Sequence, residues 1–243
     1  MTTCLVVGAH GRTGSRVVDE LVQAGHAVTG LVRRGEHVAD LHDAGAHGIV
    51  LDLATSSTDD LQRAVDEVEA VVYTAGSSSG ATAETVTQID GAAIIRTVDA
   101  AVLAGAERFV LVSAHRADED FGGDHVVRLL RAKRAADAHL RATALAWTII
   151  RPDALTEGRP TGRVRLGTTV PQGALPRADL ARLIRLALEA PPPPCGSSSN
   201  SPAGRRRSRS PSTRSDTADH HHAPSQPHRA SSTSAGNRID HLR

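Results

Sequence analysis

The stretch Cys4-Leu-Val-Val-Gly-Ala-His-Gly-Arg-Thr-Gly-Ser-Arg-Val-Val18 joins a short apolar run to a turn with three evenly spaced glycines and then to a helical pattern. The apolar run predicts a buried strand, and residues 12–24 predict a helix. Gly8, Gly11 and Gly14 would let the backbone turn sharply, approach a pyrophosphate and pack the helix close to the sheet. The amides at the N-terminus of that helix would face the phosphates. A strand, a glycine turn and a helix in this order are typical of the start of a dinucleotide site.

The composition of the 243-residue chain changes at residue 191. Residues 1–190 alternate apolar runs with helical stripes, which predicts one folded domain. Residues 191–243 are rich in Ser, Pro, Arg and His and cannot bury enough apolar surface to fold, so we predict a disordered tail. A shift of reading frame is one hypothesis for its origin. The tail holds eight arginines and three aspartates, whereas the folded part is mildly acidic and gives no reason to expect nucleic acid.

The cysteine content and the lengths of the apolar runs indicate in which cellular compartment the protein resides. Only Cys4 and Cys195 occur, which indicates neither a disulfide framework nor a metal site. The first residues lack the charged and apolar regions of a signal peptide, and no apolar run approaches the ~18 residues of a membrane span. We therefore expect a cytoplasmic protein without a metal or a membrane contact, whose partner is a small-molecule substrate.

Apolar runs and helical stripes alternate along the folded part. Strands are predicted over 27–32, 48–53, 70–76, 107–113 and 146–152, with a short seventh strand over 163–166. Helices are predicted over 37–44, 57–67, 82–104, 124–141 and 176–188. Strands that alternate with helices predict a parallel sheet with right-handed crossovers. We expect an α/β fold with a doubly wound parallel sheet of the Rossmann type, in a single domain.

The residues after the second predicted strand bear on the choice of cofactor. In NAD-preferring folds an Asp or Glu about 20 residues after the glycines binds the ribose 2′-hydroxyl, whereas an Arg there accommodates a 2′-phosphate. Here the position holds Arg33, followed by Arg34, and Arg12 in the glycine turn could reach the same phosphate. Because the guanidinium fork suits phosphate, we predict NADP rather than NAD. The alternative is an arginine pair that is simply solvated.

Other strand ends supply further candidate contacts. Asp52 and Leu53 end the third strand, where a contact with adenine is one interpretation and a capping role for Asp52 is the other. Ala75 and Gly76 lead into a loop of Gly and Ser that can pass close to the ribose of the cofactor. Ser113 ends the fifth strand, at the edge of a doubly wound sheet where ligands bind.

Several short motifs together resemble the atypical short-chain dehydrogenase/reductase proteins of the NAD(P)H-binding, NmrA-like type, near the biliverdin and flavin reductase-like branch. The resemblance covers about residues 3–190. The motifs are Gly8-Ala-His-Gly-Arg-Thr-Gly14, Gly25-His-Ala-Val-Thr-Gly-Leu-Val-Arg33, Leu51-Asp-Leu53, Gly105-Ala-Glu-Arg-Phe-Val-Leu-Val-Ser113, Ala132-Lys133 with Ala136-Asp137, Trp147-Thr-Ile-Ile-Arg-Pro152 and Arg177-Ala-Asp179. The resemblance implies a Rossmann-type fold, NADP(H) as cofactor and, in many relatives, a reductase activity.

The resemblance also implies roles for individual residues. It places the 2′-phosphate contact at Arg33, the adenine edge at Asp52 and Leu53, and the active-site serine at Ser113. The phosphate loop that it implies consists of Gly8, Gly11, Arg12, Thr13 and Gly14.

Lys133 matches the family lysine that binds the nicotinamide ribose, and it is the only lysine in the chain. A compact ammonium in a chain that otherwise uses arginine suggests a geometric demand, although a solvated lysine on a basic helix face is the alternative. In classical members a tyrosine precedes this lysine by four residues, but here that position holds Leu129. The only tyrosine, Tyr73, lies in the fourth predicted strand, where we expect it to pack. Carbonyl reduction by a Tyr-Lys pair is therefore not expected.

Without the tyrosine we expect hydride transfer from NADPH to a flavin, a quinone or a conjugated small molecule, whose proton can come from solvent. The candidate catalytic residues are Ser113, Lys133 and His115. His115 or His125 could donate a proton because histidine titrates near neutral pH, although loop histidines are usually only solvated. The alternative function is a non-catalytic, NADP(H)-sensing regulatory protein.

Overall fold

A six-stranded parallel sheet forms the centre of the protein. The structure, a computed structural model, describes residues 1–78, 80–167, 170–191 and 241–242. The sheet has the strand order β3-β2-β1-β4-β5-β6, and all five neighbouring pairs are parallel. Its strands are β1 (Thr3–Val7), β2 (Ala27–Val32), β3 (His47–Val50), β4 (Ala70–Tyr73), β5 (Arg108–Val112) and β6 (Ala146–Ile150). The predicted doubly wound sheet is confirmed, and its strand order reverses between β1 and β4.

Helices connect successive strands of this sheet, and a further helix follows its last strand. They are α1 (Gly14–Gln23), α2 (Val38–Asp43), α3 (Thr58–Val65), α4 (Ala83–Thr87), α5 (Ala93–Ala104), α6 (Asp124–Arg141) and α7 (Arg177–Glu189). A 3₁₀ turn, Gly35–His37, precedes α2, and a π-helical segment, Gln88–Ala92, joins α4 to α5. None of the described helices is long and apolar enough to cross a membrane.

The two faces of the sheet each bury an apolar core. Successive side chains of β1 alternate between them, so that Cys4 and Val6 pack on one face and Leu5 and Val7 on the other. Residues of α1 and α7 cover the first face, and residues of α3, α5 and α6 cover the second. Every residue of β4 is buried, which explains why this strand appears in the sequence as an uninterrupted apolar run.

Strand ends and one helix differ from the predictions. The third to sixth predicted strands end one to three residues early in the structure, although the amides of Leu51, Thr74 and Ser113 still donate to the neighbouring strand. Helix α1 begins at Gly14 rather than at residue 12, since the Gly11 amide donates to the Gly8 carbonyl and closes a turn first. The predicted helix 82–104 is helical throughout, but it contains the π segment.

The predicted seventh strand over 163–166 is wrong. Of these residues only Leu166 lies in a strand, while Arg163 and Arg165 are exposed and Val164 packs against the apolar core outside a strand. Instead β7 (Ala154–Thr156) pairs in parallel with β9 (Ala174–Pro176). The short β8 (Leu166–Gly167) pairs antiparallel with β10 (His241–Leu242). Apart from residues 191 and 241–242, the tail that we predict to be disordered lies outside the described residues.

Candidate functional site

The glycine turn follows β1 and leaves no space for side chains. Gly8 has a left-handed backbone with a φ of 82°, and a Cβ placed on it would lie 2.8 Å from the Ala75 backbone. A Cβ on Gly14 would overlap the Gly8 carbonyl. The amides of Gly8 and Ala9 donate to the Leu31 carbonyl at 3.2 and 3.1 Å. The turn is thus packed between β2 and the residues after β4, and only glycine fits at these two positions.

The N-terminus of α1 opens directly onto this turn. Thr13 is the N-cap residue, is buried, and makes no side-chain capping bond. No acidic residue lies in the first turn of α1, and the Arg16 Nη1 donates to the Arg12 carbonyl at 2.6 Å. Free helix amides with a positive dipole end bind anions. The glycine turn therefore leaves a hollow of bare backbone, which a Cβ would fill, at the N-terminus of α1. Such a hollow fits the pyrophosphate of a dinucleotide.

The three candidate arginines have different surroundings. Among residues 1–78, 80–167 and 170–191, the exposed side chains of Arg12 and Arg33 make no hydrogen bond or ion pair. Arg34 instead donates to His37 Nε2 at 2.9 Å and lies 3.2 Å from a Glu36 oxygen. Arg33 is therefore available to a ligand, whereas Arg34 is already engaged.

The end of β3 is organised by hydrogen bonds within the chain. Asp52 accepts a hydrogen bond from the Ala54 amide at 2.9 Å and so stabilises the turn that follows. This hydrogen bond confirms the capping interpretation of Asp52, whereas Ser57 caps the following helix, α3. Leu53 is buried, and its carbonyl accepts a hydrogen bond from Arg96 at 2.7 Å. Contact of Asp52 and Leu53 with adenine stays a prediction.

A buried carboxylate that the sequence analysis missed fixes the loop after β4. Asp90, in the π segment, accepts a hydrogen bond from the Ser77 amide at 3.0 Å. A Cβ on the exposed Gly76 would lie 3.3 Å from Asp90 Oδ1. The Tyr73 hydroxyl donates to the Ile89 carbonyl at 2.9 Å, so the tyrosine packs as expected. Asp90 is the only polar residue of the run 89–95, and this is the signal that could have identified it.

Lys133 lies on α6 and points into the protein rather than into solvent. Its ammonium lies 3.1 Å from Asp90 Oδ1, and only 7% of its side chain is exposed. It also donates to the Val112 carbonyl, at the end of β5, at 3.4 Å. The alternative of a solvated lysine is wrong. The lysine, the loop after β4 and the end of β5 meet at one edge of the sheet, which is where such folds place the reactive part of a nucleotide.

Ser113 is buried beside a charged cluster. Burial raises the pKa of Asp137, whereas the Arg151 charge and the Ser113 hydroxyl act to lower it. Neither Ser113 Oγ nor Asp137 Oδ1 has a hydrogen bond of good geometry among the described residues. Arg151 is almost fully buried and bonds to Asp137 at 2.9 Å and to Asp118 at 2.5 and 3.0 Å. The cluster ties the loop after β5 to the end of β6.

The two candidate histidines lie in different places. His115 is half-buried, and its amide donates to the Pro152 carbonyl at 3.0 Å, which puts it at the same sheet edge as Ser113. His125 is exposed in the first turn of α6. The structure therefore brings Ser113, His115 and Lys133 to one edge of the sheet. In the part of the chain that the structure describes, no group of potential metal ligands comes together.

The fold and the glycine cradle define a NAD(P)-binding protein of the Rossmann type, as predicted. The model of a family described as NAD(P)H-binding matches residues 8–191, and the chain belongs to that family. It is 33% identical over 189 residues to the uncharacterized sugar epimerase YhfK of Bacillus subtilis, with coverage of 76% of this chain and 86% of that protein.

Solved structures agree with this assignment. A proposed NAD-dependent epimerase/dehydratase from Bacillus halodurans is 31% identical, has a TM-score of 0.70 and is covered over 86% of its length by 76% of this chain. The anaerobilin reductase ChuY from Escherichia coli O157:H7 has a TM-score of 0.65 at 21% identity, with coverage of 79% of this chain and 92% of that one. The second likeness concerns the fold alone.

Proposed function

We propose that the protein binds NADPH and transfers its hydride to a flavin, a quinone or another conjugated small molecule. The observation that carries the cofactor assignment is Arg33, an exposed guanidinium without a protein partner among the described residues, directly after β2. An Arg at this position accommodates a 2′-phosphate, whereas an acidic residue would hold a 2′-hydroxyl. Arg12, equally free of described partners, adds a second positive charge in the adjacent glycine turn.

Different residues along the edge of the sheet would bind different parts of the cofactor. The amides at the N-terminus of α1 would hold the pyrophosphate, the glycines of the turn would let it approach the backbone, and Arg33 would hold the 2′-phosphate. Lys133, fixed by Asp90, would bind the hydroxyls of the nicotinamide ribose. When bound, the cofactor supplies a hydride, which is two electrons and one proton, to the acceptor.

Leu129 limits the chemistry that this site can perform. It occupies the position of the tyrosine that donates or accepts a proton in classical relatives, so neither carbonyl reduction nor sugar epimerisation through a tyrosine is supported. A reduced flavin or quinone can take its proton from water, and His115 at the same edge is the candidate proton donor. The protein then contributes position and electrostatics.

The alternative is an NADP(H)-sensing regulatory protein. It is favoured by the burial of Ser113 and of Lys133, since neither side chain is well exposed to a second substrate. Under this alternative the cofactor would bind to the same residues without turnover.

Stopped-flow oxidation of NADPH by the full chain, followed by the loss of its near-ultraviolet absorbance, tests the proposal. The acceptors are FMN, riboflavin and menadione, and each is compared with its rate in the absence of protein. We expect saturable oxidation of NADPH with at least one of them, and slower oxidation with NADH. Tight binding of NADPH without turnover across all acceptors would overturn the reductase proposal and favour the sensor.

A further inference from the structure

Two histidines stack on each other beside the cofactor arginines. The rings of His10 and His37 lie 3.5 Å apart between centroids and are nearly parallel, with an interplanar angle of 4°. His10 belongs to the glycine turn, between Ala9 and Gly11, and His37 to the 3₁₀ turn that follows β2. The stack therefore joins the segment that carries Arg12 to the segment that carries Arg33.

The hydrogen bonds of the stack define the charge of one ring. Arg34 Nη2 lies 2.9 Å from His37 Nε2. Arginine can only donate hydrogen bonds, and both nitrogens of a protonated histidine also donate, so His37 Nε2 must carry a lone pair. His37 is thus neutral in this arrangement, with its proton on Nδ1. His10 Nε2 lies 2.9 Å from Asp40 Oδ2, where it donates to the carboxylate.

The charged groups around the stack come from every element that packs there. The glycine turn contributes Arg12, the end of β2 contributes Arg33 and Arg34, the 3₁₀ turn contributes Glu36, and α2 contributes Asp40. Partial desolvation, followed by the charges of His10 and Arg34, lowers the pKa of His37, and Glu36 and Asp40 oppose this shift. Desolvation and the charges of His10 and Arg34 thus outweigh Glu36 and Asp40 and disfavour the protonated form of His37, which a bound anion would favour.

We propose that the stack of His10 and His37 is a proton-linked part of the 2′-phosphate site, which takes up a proton when the 2′-phosphate of NADPH binds beside Arg33. This inference rests on the proposed preference for NADPH. The bound dianion competes with His37 for Arg34 and offsets the positive charge around the imidazole, so that His37 Nε2 gains a proton and donates. NADH has no 2′-phosphate and leaves His37 neutral.

The stack of His10 and His37 would help the protein to distinguish NADPH from NADH. Protonation of His37 adds a positive charge only in the presence of the 2′-phosphate, so the gain in affinity applies to NADPH and not to NADH. Binding of NADPH should therefore weaken as the pH rises through the range in which histidine titrates, about pH 6 to 8. The 2′-phosphate itself has a second pKa near 6 and acts in the opposite direction below that pH.

Calorimetric titration of the full chain at pH 7 tests this inference. NADPH and NADH are each titrated in phosphate and Tris, whose ionisation enthalpies differ, so that the buffer dependence of the heat gives the number of protons taken up. The variants are His10→Asn, His37→Asn and the double variant. His42→Asn is the matched control, because His42 lies on α2, directly after the 3₁₀ turn of His37, with an exposed side chain and outside the stack.

The expected result is an uptake of about half a proton or more with NADPH and less with NADH. His37→Asn and the double variant should lose this excess and flatten the rise in NADPH dissociation constant between pH 6 and 8, while His42→Asn should match the unaltered protein. If the protein prefers NADPH but all four variants take up the same number of protons, the role of the stack is overturned while the cofactor assignment stands. Equal affinity for NADPH and NADH at every pH would overturn both the stack and the cofactor assignment.

Discussion

The Lys133 ammonium lies 3.1 Å from Asp90 Oδ1, and both side chains are nearly buried, with exposed fractions of 7% and 2%. The pair joins α6 to the π segment before α5. The other Asp90 oxygen accepts the Ser77 amide, so one carboxylate fixes both the lysine and the loop after β4. π segments inside helices occur frequently at functional sites, and this one carries the aspartate that holds Lys133 in place.

Lys133→Met should cost about 3–5 kcal/mol of stability, because it leaves Asp90 as an uncompensated buried charge. Adding Asp90→Asn should recover most of this loss, since the amide oxygen can still accept the Ser77 hydrogen bond. Urea unfolding of the two variants measures the difference. Equal stabilities of the single and double variants would contradict the pairing. The double variant should remain about tenfold weaker in NADPH binding if Lys133 holds the ribose.

Arg33→Ala should weaken NADPH binding about 10- to 100-fold, because a charge-assisted hydrogen bond to phosphate contributes about 1.5–3 kcal/mol. NADH binding should not change, since NADH has no 2′-phosphate. Titration calorimetry with both nucleotides measures the two affinities. Arg182→Ala, at an exposed position of α7, is the control and should behave as the unaltered protein. A parallel loss of NADPH and NADH affinity would argue against a role of Arg33 in cofactor selection.

Gly8→Ala and Gly25→Ala separate close packing from backbone strain. The two glycines have nearly the same φ, 82° and 83°. A Cβ on Gly8 would lie 2.8 Å from the Ala75 backbone, whereas a Cβ on Gly25 would have no neighbour within 4 Å. Gly25→Ala should cost about 1–2 kcal/mol for the left-handed backbone. Gly8→Ala should cost about 1–3 kcal/mol more for overpacking against Ala75 and should also abolish NADPH binding. Urea unfolding gives both values, and equal costs would contradict the tight packing of the turn.

Arg151→Met should destabilise the protein by about 3–5 kcal/mol, because it leaves the fully buried Asp137 without its cationic partner. Arg182→Met, at an exposed site, should change stability by less than about 0.5 kcal/mol. Thermal and urea unfolding measure both variants. A loss below about 1 kcal/mol for Arg151→Met would show that the buried cluster is not held by this ion pair.

Asp179 should contribute stability that is lost in acid. It accepts hydrogen bonds from the Thr161 amide and hydroxyl at 2.8 Å and from the Gly162 amide at 2.9 Å. Burial acts to raise its pKa, but these hydrogen bonds outweigh it and lower the pKa below its usual value. The contribution is fully present above the unfolded pKa of about 3.9 and is lost as the pH falls through the lower folded-state pKa.

Unfolding of the unaltered protein and of Asp179→Asn between pH 2 and 7 checks this dependence. The unaltered protein should be more stable at pH 7, and the difference should shrink below about pH 4. A difference that grows as the pH falls would contradict the assignment.

The sequence predicted the sheet well because its strands are apolar runs buried on both faces, and β1 and β4 are the clearest examples. The glycine turn was equally predictable, since Gly8 and Gly14 meet steric demands that only glycine satisfies. The π segment was not, because the helical periodicity continues through residues 88–92. The pairing of Lys133 with Asp90 depends on how two distant helices pack, and no local pattern shows it.

The contrast between Arg33 and Arg34 also required the structure. Both residues look alike in the sequence, but Glu36 and His37 engage only Arg34. The stack of His10 on His37 likewise arises where the glycine turn and the residues after β2 meet in space. The family match confirms NAD(P)H binding, while the preference for NADPH, which rests on Arg33, stays a prediction.

Titration calorimetry of the full chain with NADPH and with NADH, in the same buffer at pH 7, tests the central claim most directly. An exposed Arg33 without a described partner predicts that NADPH binds at least about tenfold more tightly than NADH. Equal binding of the two nucleotides, or tighter binding of NADH, would contradict the account.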